Sequence, residues 1–120
     1  MPLDFRDPAY LFDMVEAGKK ISRYLQQKDF EDFLKDDLLK DAIERNLTIL
    51  GEAARKLSEQ FKLEHLDLPW RRIIGLRNIL VHEYEDIDYE EIWEIITIHL
   101  PILVPRLEEL MPPIPSNIDE

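Results

Sequence analysis

The chain has 120 residues and a mass of 14.3 kDa, which is enough for one hydrophobic core but not for two domains. It contains no cysteine, which excludes disulfides, thiolate nucleophiles and cysteine-based zinc sites. A formal charge of −11 and a pI of about 4.7 argue against broad electrostatic attraction to nucleic acid, so any contact with RNA would need a local basic cleft.

We expect a cytoplasmic protein with neither a membrane nor DNA as a partner. The lack of cysteine suits a reducing cytosol, and residues 1–7 lack the basic-then-apolar pattern of a signal peptide. The longest apolar run is interrupted by Pro101 and Pro105 and is too short for a membrane span. Three glycines and 45% hydrophobic residues predict an all-α fold, an up-down bundle of four main helices plus a short helix or turn.

The first helix is predicted from Asp7 to about Gln27. Asp7 can cap free amides, and Pro8 fits the first helical position. Apolar residues then recur every three or four positions: Leu11, Met14, Val15, Gly18, Ile21 and Leu25. Three basic residues off this stripe form either a solvated face or an edge that faces phosphate: Lys19, Lys20 and Arg23.

A second long helix is predicted from Asp36 or Asp37 to about Gln60. Its apolar stripe consists of Leu39, Ala42, Ile43, Leu47, Leu50, Ala53, Ala54, Leu57 and Phe61. The segment 29–35 before it is too short for a full helix, and we expect its apolar side chains to pack as a plug: Phe30, Phe33 and Leu34. Gly51 lies in mid-helix, where glycine costs about 1 kcal/mol against alanine, so we expect close helix packing there. Glu52 is either a partly exposed acid or a residue that holds Arg77 in place.

A third helix is predicted from residues 67–69 to near His82, and a fourth helix follows an acidic break. The third helix is apolar on more than one side, which is typical of a helix buried deeply or shared with a second subunit. The acids at 83–88 cap the last helix or, alternatively, form a magnesium site. Pro101 and Pro105 must kink or interrupt this helix, and we expect His99 to be a packing residue. Residues 1–111 are predicted to be one domain and 112–120 a flexible, proline-rich tail.

The candidate site is the octet Arg77-Asn78-Ile79-Leu80-Val81-His82-Glu83-Tyr84. It combines a fixed cation, an amide, a side chain that titrates near neutral pH and a phenol. On a regular helix Arg77 and His82 would lie about 140° apart, so they meet only if the helix unwinds after Leu80 or the arginine swings round. Chance produces the Arg-x4-His spacing in about one such chain in ten, and the added Asn78 and Tyr84 lower that about a thousandfold. The alternative to a functional site is that Arg77 and His82 are ordinary residues of a helix end and that Tyr84 belongs to the core.

This octet resembles the Arg-x4-His-x-Tyr signature of HepT-like toxins in the HEPN superfamily. Residues 49–54 resemble the family's Ile-Gly-Glu-Ala turn, with Leu50 as the one departure. Further similar dipeptides are Pro69-Trp70, Ile92-Trp93 and Leu100-Pro101. Together these extend the resemblance from about Asp7 to Leu110.

The resemblance implies a helical-bundle homodimer that acts as a metal-independent ribonuclease toxin on RNA, with no cofactor. Arg77 and His82 would be the catalytic pair in a composite cleft, supported by Asn78 and Glu52. A minimal nucleotidyltransferase antitoxin would silence the toxin by AMPylation of Tyr84. The alternative function is a non-catalytic dimeric binding module that serves only as the docking and adenylylation target of that nucleotidyltransferase.

Overall fold

A computed structural model describes residues 6–80 and 87–112 of the chain. These residues form seven α-helices and no strand, which confirms the predicted all-α class. The helices are α1 (Asp7–Tyr24), α2 (Phe30–Lys35), α3 (Asp37–Lys56), α4 (Glu59–Glu64), α5 (Trp70–Ile74), α6 (Tyr89–Glu94) and α7 (Leu100–Leu110). A 3-10 turn (Gly75–Ile79) follows α5, and a π turn (Ile95–His99) joins α6 to α7. The predicted tail at 112–120 lies almost wholly outside the described residues.

The core lies between α1, α3 and α7, with α5 packed on the far side of α3. Its fully buried side chains come from the apolar stripes that the sequence predicts: Leu11, Met14, Ile21, Ile43, Leu47, Leu50, Ile92 and Leu107. Each side chain of this size contributes about 1.5–3 kcal/mol when removed from water. Gly18 lets α1 and α7 approach, because a Cβ there would lie 2.4 Å from Val104 Cγ2. None of the described helices has the length and apolar character needed to cross a bilayer.

Asp7 does not cap α1, so the predicted cap of the first helix is wrong. The partner that Asp7 binds instead also explains why the second predicted helix ends early. The residue is 1% exposed, and its carboxylate accepts hydrogen bonds from the Ser58 amide at 2.9 Å and the Ser58 hydroxyl at 2.6 Å. The same hydroxyl accepts from the Phe61 amide at 3.1 Å and so caps α4. The predicted helix to Gln60 is therefore wrong at its end: α3 stops at Lys56, because Ser58 starts a new helix that the buried carboxylate anchors.

Segment 29–35 forms the short helix α2, closed at its start by a reciprocal capping box between Asp29 and Asp32. Phe33 is fully buried and packs against the Trp93 ring at 5.5 Å between centroids, so most of the predicted plug is present. Leu34 is 38% exposed and does not belong to it.

The last helix runs from Tyr89 to Leu110 through the π turn. The Asp88 carboxylate accepts from the Glu91 amide at 3.1 Å, as the capping pattern predicts. Pro101 has no N–H, and its ring would clash with the carbonyl four residues earlier in a regular helix. The wider π turn before Pro101 accommodates both the missing N–H and the bulk of the ring. The predicted interruption is therefore a local change in helical pitch.

Candidate active site

Gly51 determines how close the candidate site lies to α3. A Cβ at this position would lie 3.2 Å from the Ile73 carbonyl oxygen and 3.6 Å from the Arg77 amide nitrogen. A larger residue here would require the backbone of α5 or its 3-10 turn to move by a few tenths of an ångström. The close packing expected from the sequence is confirmed, and it places the element that carries Arg77 directly against the middle of α3.

The neighbouring Glu52 then faces Arg77. One carboxylate oxygen lies 3.6 Å from Arg77 Nη1, and the other accepts from Arg55 Nη2 at 3.1 Å and Nε at 3.3 Å. The Arg77 contact is an ion pair too long for a hydrogen bond, which leaves the guanidinium donors available. Because the Arg77 side chain is 60% exposed, such a pair contributes about 0–1 kcal/mol. The pair therefore contributes little to the stability of the fold.

The α-helical part of the third helix is shorter than predicted. It ends at Ile74, and Arg77 lies in the middle of the 3-10 turn rather than on an α-helix. Gly75 weakens the α-helix, and a 3-10 turn tightens a helix end by bonding to the carbonyl three residues back. The departure from α-geometry that would let Arg77 and His82 approach begins at Gly75, before the expected position at Leu80.

Of the predicted site residues, the structure describes Arg77, Asn78 and Glu52. Arg77 and Asn78 are both exposed on the 3-10 turn. His82 and Tyr84 lie outside the described residues, so the proposed pairing of Arg77 with His82 stays a prediction. The acidic run from Glu83 to Asp86 lies there too. In the stretches 6–80 and 87–112, no three carboxylate or histidine side chains are placed to share a metal ion.

On the other side of residues 81–86, Tyr89 is also tied to α3. Its hydroxyl donates to Glu44 at 2.9 Å, and Lys40 Nζ lies 4.8 Å from the ring centroid. Burial, followed by the hydrogen bond to Glu44, raises the pKa of Tyr89 to about 12. Sequence analysis did not single out Glu44. The signal that could have identified it is its spacing of eight residues from Glu52, about 12 Å along one face of α3.

His99 is not the packing residue that the sequence predicts. Its side chain is 46% exposed, and its Nε2 lies 3.7 Å from a Glu94 carboxylate oxygen. The π turn rotates this residue away from the core, which the regular helical spacing could not indicate.

The fold and the site define a class: a small helical bundle that presents an exposed arginine on a 3-10 turn. Residues 14–110 match the family described as Ribonuclease HepT-like, and the chain belongs to that family. The predicted family is thereby confirmed, whereas the roles of the octet residues stay predictions.

Several relatives are similar over most of their length. A protein from Caldanaerobacter subterraneus subsp. tengcongensis named "Putative RNase" is 42% identical over 102 residues, which covers 85% of this chain and 91% of the relative. A "Probable ribonuclease HepT" from Thermococcus cleftensis is 35% identical over 101 residues, covering 84% and 92%. A "Putative RNase" from Methanocaldococcus jannaschii is 32% identical over 100 residues, covering 83% and 92%. No solved structure gives a significant match.

Proposed function

We propose that this protein is a metal-independent RNA endonuclease and the toxin of a toxin–antitoxin pair, with Arg77 and His82 as its catalytic residues. The family membership and the names of the relatives support RNA cleavage. The observation that carries the assignment of Arg77 is its exposed guanidinium, which lies 3.6 Å from a Glu52 carboxylate oxygen. Glu52 is a positioning residue, and Asn78 orients His82 or binds phosphate.

RNA can be cut without a metal when one group removes the 2′-hydroxyl proton and another protonates the leaving 5′-oxygen. The 2′-oxygen bonds to phosphorus, the bond to the 5′-oxygen breaks, and the products are a 2′,3′-cyclic phosphate and a free 5′-hydroxyl. A histidine with a pKa near 6.5 can fill either proton role at pH 7. Arg77 remains charged and binds the non-bridging oxygens, whose negative charge grows in the transition state.

This chemistry favours a homodimer. The base and the acid act from opposite sides of the phosphorus, and one His82 cannot occupy both positions. A two-fold axis supplies a second His82 from another copy, which completes the site.

Tyr84 is the proposed site of AMPylation by a minimal nucleotidyltransferase antitoxin. An AMP group two residues from His82 would place a phosphodiester where the RNA phosphate binds and would compete for Arg77. Tyr89 is the nearest rival acceptor in the chain. Its hydroxyl is engaged by Glu44 and its pKa is raised to about 12, so it is a poorer nucleophile than an ordinary tyrosine.

The test is cleavage of single-stranded RNA in EDTA by purified protein. We expect cyclic-phosphate ends from wild type and at least a hundredfold loss of rate in Arg77→Ala and His82→Ala. Arg55→Ala is the matched control: it removes the other arginine held by Glu52 and should keep its activity. If either site variant cleaves as fast as this control, the assignment of the catalytic pair is wrong. Tyr84→Phe should still cleave RNA but accept no AMP.

The second candidate is the non-catalytic binding module, which the charge of −11 favours because such a chain repels RNA over most of its surface. Under this alternative the protein would dimerise and accept AMP on Tyr84 but cleave no RNA at any protein concentration. AMP transfer from a purified nucleotidyltransferase, followed by mass spectrometry, would then be the only activity that involves the octet.

A further inference from the structure

A groove of about 450 Å³ runs beside the candidate active site, on the side of α5 away from Glu52. Its first wall is α5 with the 3-10 turn, and its second wall is the face of the last helix from Glu91 to Arg106. Along the helix axis this face is about 22 Å long. The apolar lining includes Ile73, Leu76, Ile95, Ile102 and Leu103.

The charges of the groove are opposite in sign to those of the chain. Three arginines line it, Arg71 and Arg72 from the first wall and Arg106 from the second, against one carboxylate, Glu91. With His99 counted as neutral, the lining residues carry a net charge of +2, of which Asp67 offsets one through its ion pair with Arg106, whereas the whole chain carries −11. The groove is thus a local basic cleft of the kind that RNA binding by so acidic a chain requires.

Two of these arginines are available to a ligand. Arg106 forms an ion pair with Asp67. Arg71 and Arg72 are both exposed, and across residues 6–80 and 87–112 neither side chain makes an ion pair or hydrogen bond. Two adjacent, unpaired guanidinium groups at the edge of an apolar floor suit a ligand that carries both phosphates and flat apolar faces.

The groove also continues into the element that carries Arg77. Gly75, Leu76 and Ile79 of the 3-10 turn line it, while Arg77 projects from the same turn toward Glu52. From Arg71 to Arg77 the chain rises about 10 Å, through α-helical and then 3-10 geometry. A strand that contacts Arg71 would therefore come within about 10 Å of Arg77.

We propose that this groove binds single-stranded RNA next to the phosphate that is cleaved, with Arg71 and Arg72 contacting the backbone. The apolar floor takes the face of an unstacked base, which a duplex could not supply. This proposal rests on the proposed ribonuclease function and adds the path of the substrate. An acidic segment of a protein chain is the competing occupant, and RNA binding that does not depend on Arg71 and Arg72 would favour it.

The experiment measures binding of a fluorescent, 2′-O-methylated RNA by anisotropy, so that no cleavage occurs. The double variant Arg71→Ala/Arg72→Ala is compared with Lys28→Ala/Arg45→Ala, which removes one exposed cation that follows α1 and one on α3 and changes the net charge equally. We expect the dissociation constant of the groove variant to rise at least tenfold. The slope of log K against log salt should fall by about 1.4, or about 0.7 for each lost phosphate contact. The control should keep the wild-type slope.

The outcomes distinguish the two proposals. If the two double variants bind RNA with equal affinity and equal salt slope, the proposal that the groove binds RNA is wrong, even if the wild type cleaves RNA. If the groove variant binds RNA weakly and the wild type never cleaves, the groove stands and the ribonuclease proposal fails. In an active enzyme, the groove variant should raise KM with kcat changed by less than about twofold. If sedimentation shows that the groove variant has lost self-association, the groove is a contact between copies and the proposal is wrong.

Discussion

Replacing Gly51 with alanine tests whether α3 and the 3-10 turn are in backbone contact. At an ordinary helical position this change stabilises by about 1 kcal/mol. Here the new Cβ would lie 3.2 Å from the Ile73 carbonyl oxygen, a backbone atom that cannot rotate away. Overpacking of this kind costs about 1–3 kcal/mol, so we expect a net loss of about 0–2 kcal/mol.

Gly75→Ala is the matched control, since a Cβ there meets no other element within 4 Å among residues 6–80 and 87–112 and its φ of −76° suits any residue. It should gain about 0.5–1 kcal/mol. A difference of about 2 kcal/mol between the two variants corresponds to about 1 M in the urea midpoint, at a slope of about 2 kcal/mol/M. Gly51→Ala should also displace Arg77 and slow RNA cleavage about threefold to tenfold. If Gly51→Ala is as stabilising as Gly75→Ala, the backbone contact does not exist.

Three further changes test the core and the flank of the site. Asp7→Ala should lower the free energy of unfolding in urea by about 2–3 kcal/mol, because it removes two buried hydrogen bonds to Ser58. A double-mutant cycle with Ser58→Ala should give a coupling energy of about 1–2 kcal/mol, and additive effects of the two changes would contradict these bonds. Gly18→Ala should lower the thermal midpoint, and Val104→Ala in the same chain should restore part of it, since the new Cβ meets Val104 Cγ2. In alkaline absorbance titration, Tyr89→Phe should remove the phenol that titrates near pH 12. Because the folded state favours the neutral phenol, the contribution of Tyr89 to the free energy of unfolding is complete below pH 10 and is lost between pH 10 and 12. A wild-type free energy of unfolding that does not fall across this pH range would contradict the raised pKa.

The sequence predicted the helices best where burial repeats with helical period. The stripe of α3 from Leu39 to Leu57 is almost fully buried, and the close packing at Gly51 is confirmed. The predictions fail where a residue far away in the sequence determines the contacts of a side chain. Asp7 has the local pattern of an N-cap, but its acceptor oxygens bind Ser58, 51 residues away. No local spacing contains that information.

The candidate site divides in the same way. The types and order of its residues, including Arg77, Asn78, His82 and Tyr84, could be assigned from the octet and its family resemblance. Glu52 could be named only as one of two alternatives, and the 3.6 Å ion pair with Arg77 depends on how α5 packs against α3. The roles of all these residues stay predictions until variants are assayed.

The amino-acid sequence by itself determined the helical class, the family and the chemical groups available for RNA cleavage, because these depend on residue type and on short, regular spacing. Only the tertiary structure decided that α5 ends at Ile74, that Glu52 faces Arg77 and that Arg71, Arg72 and Arg106 share one groove. The physical reason is that a contact between residues far apart in the chain is fixed by the packing of whole helices. Its free energy is shared among many side chains rather than encoded in the few residues that meet.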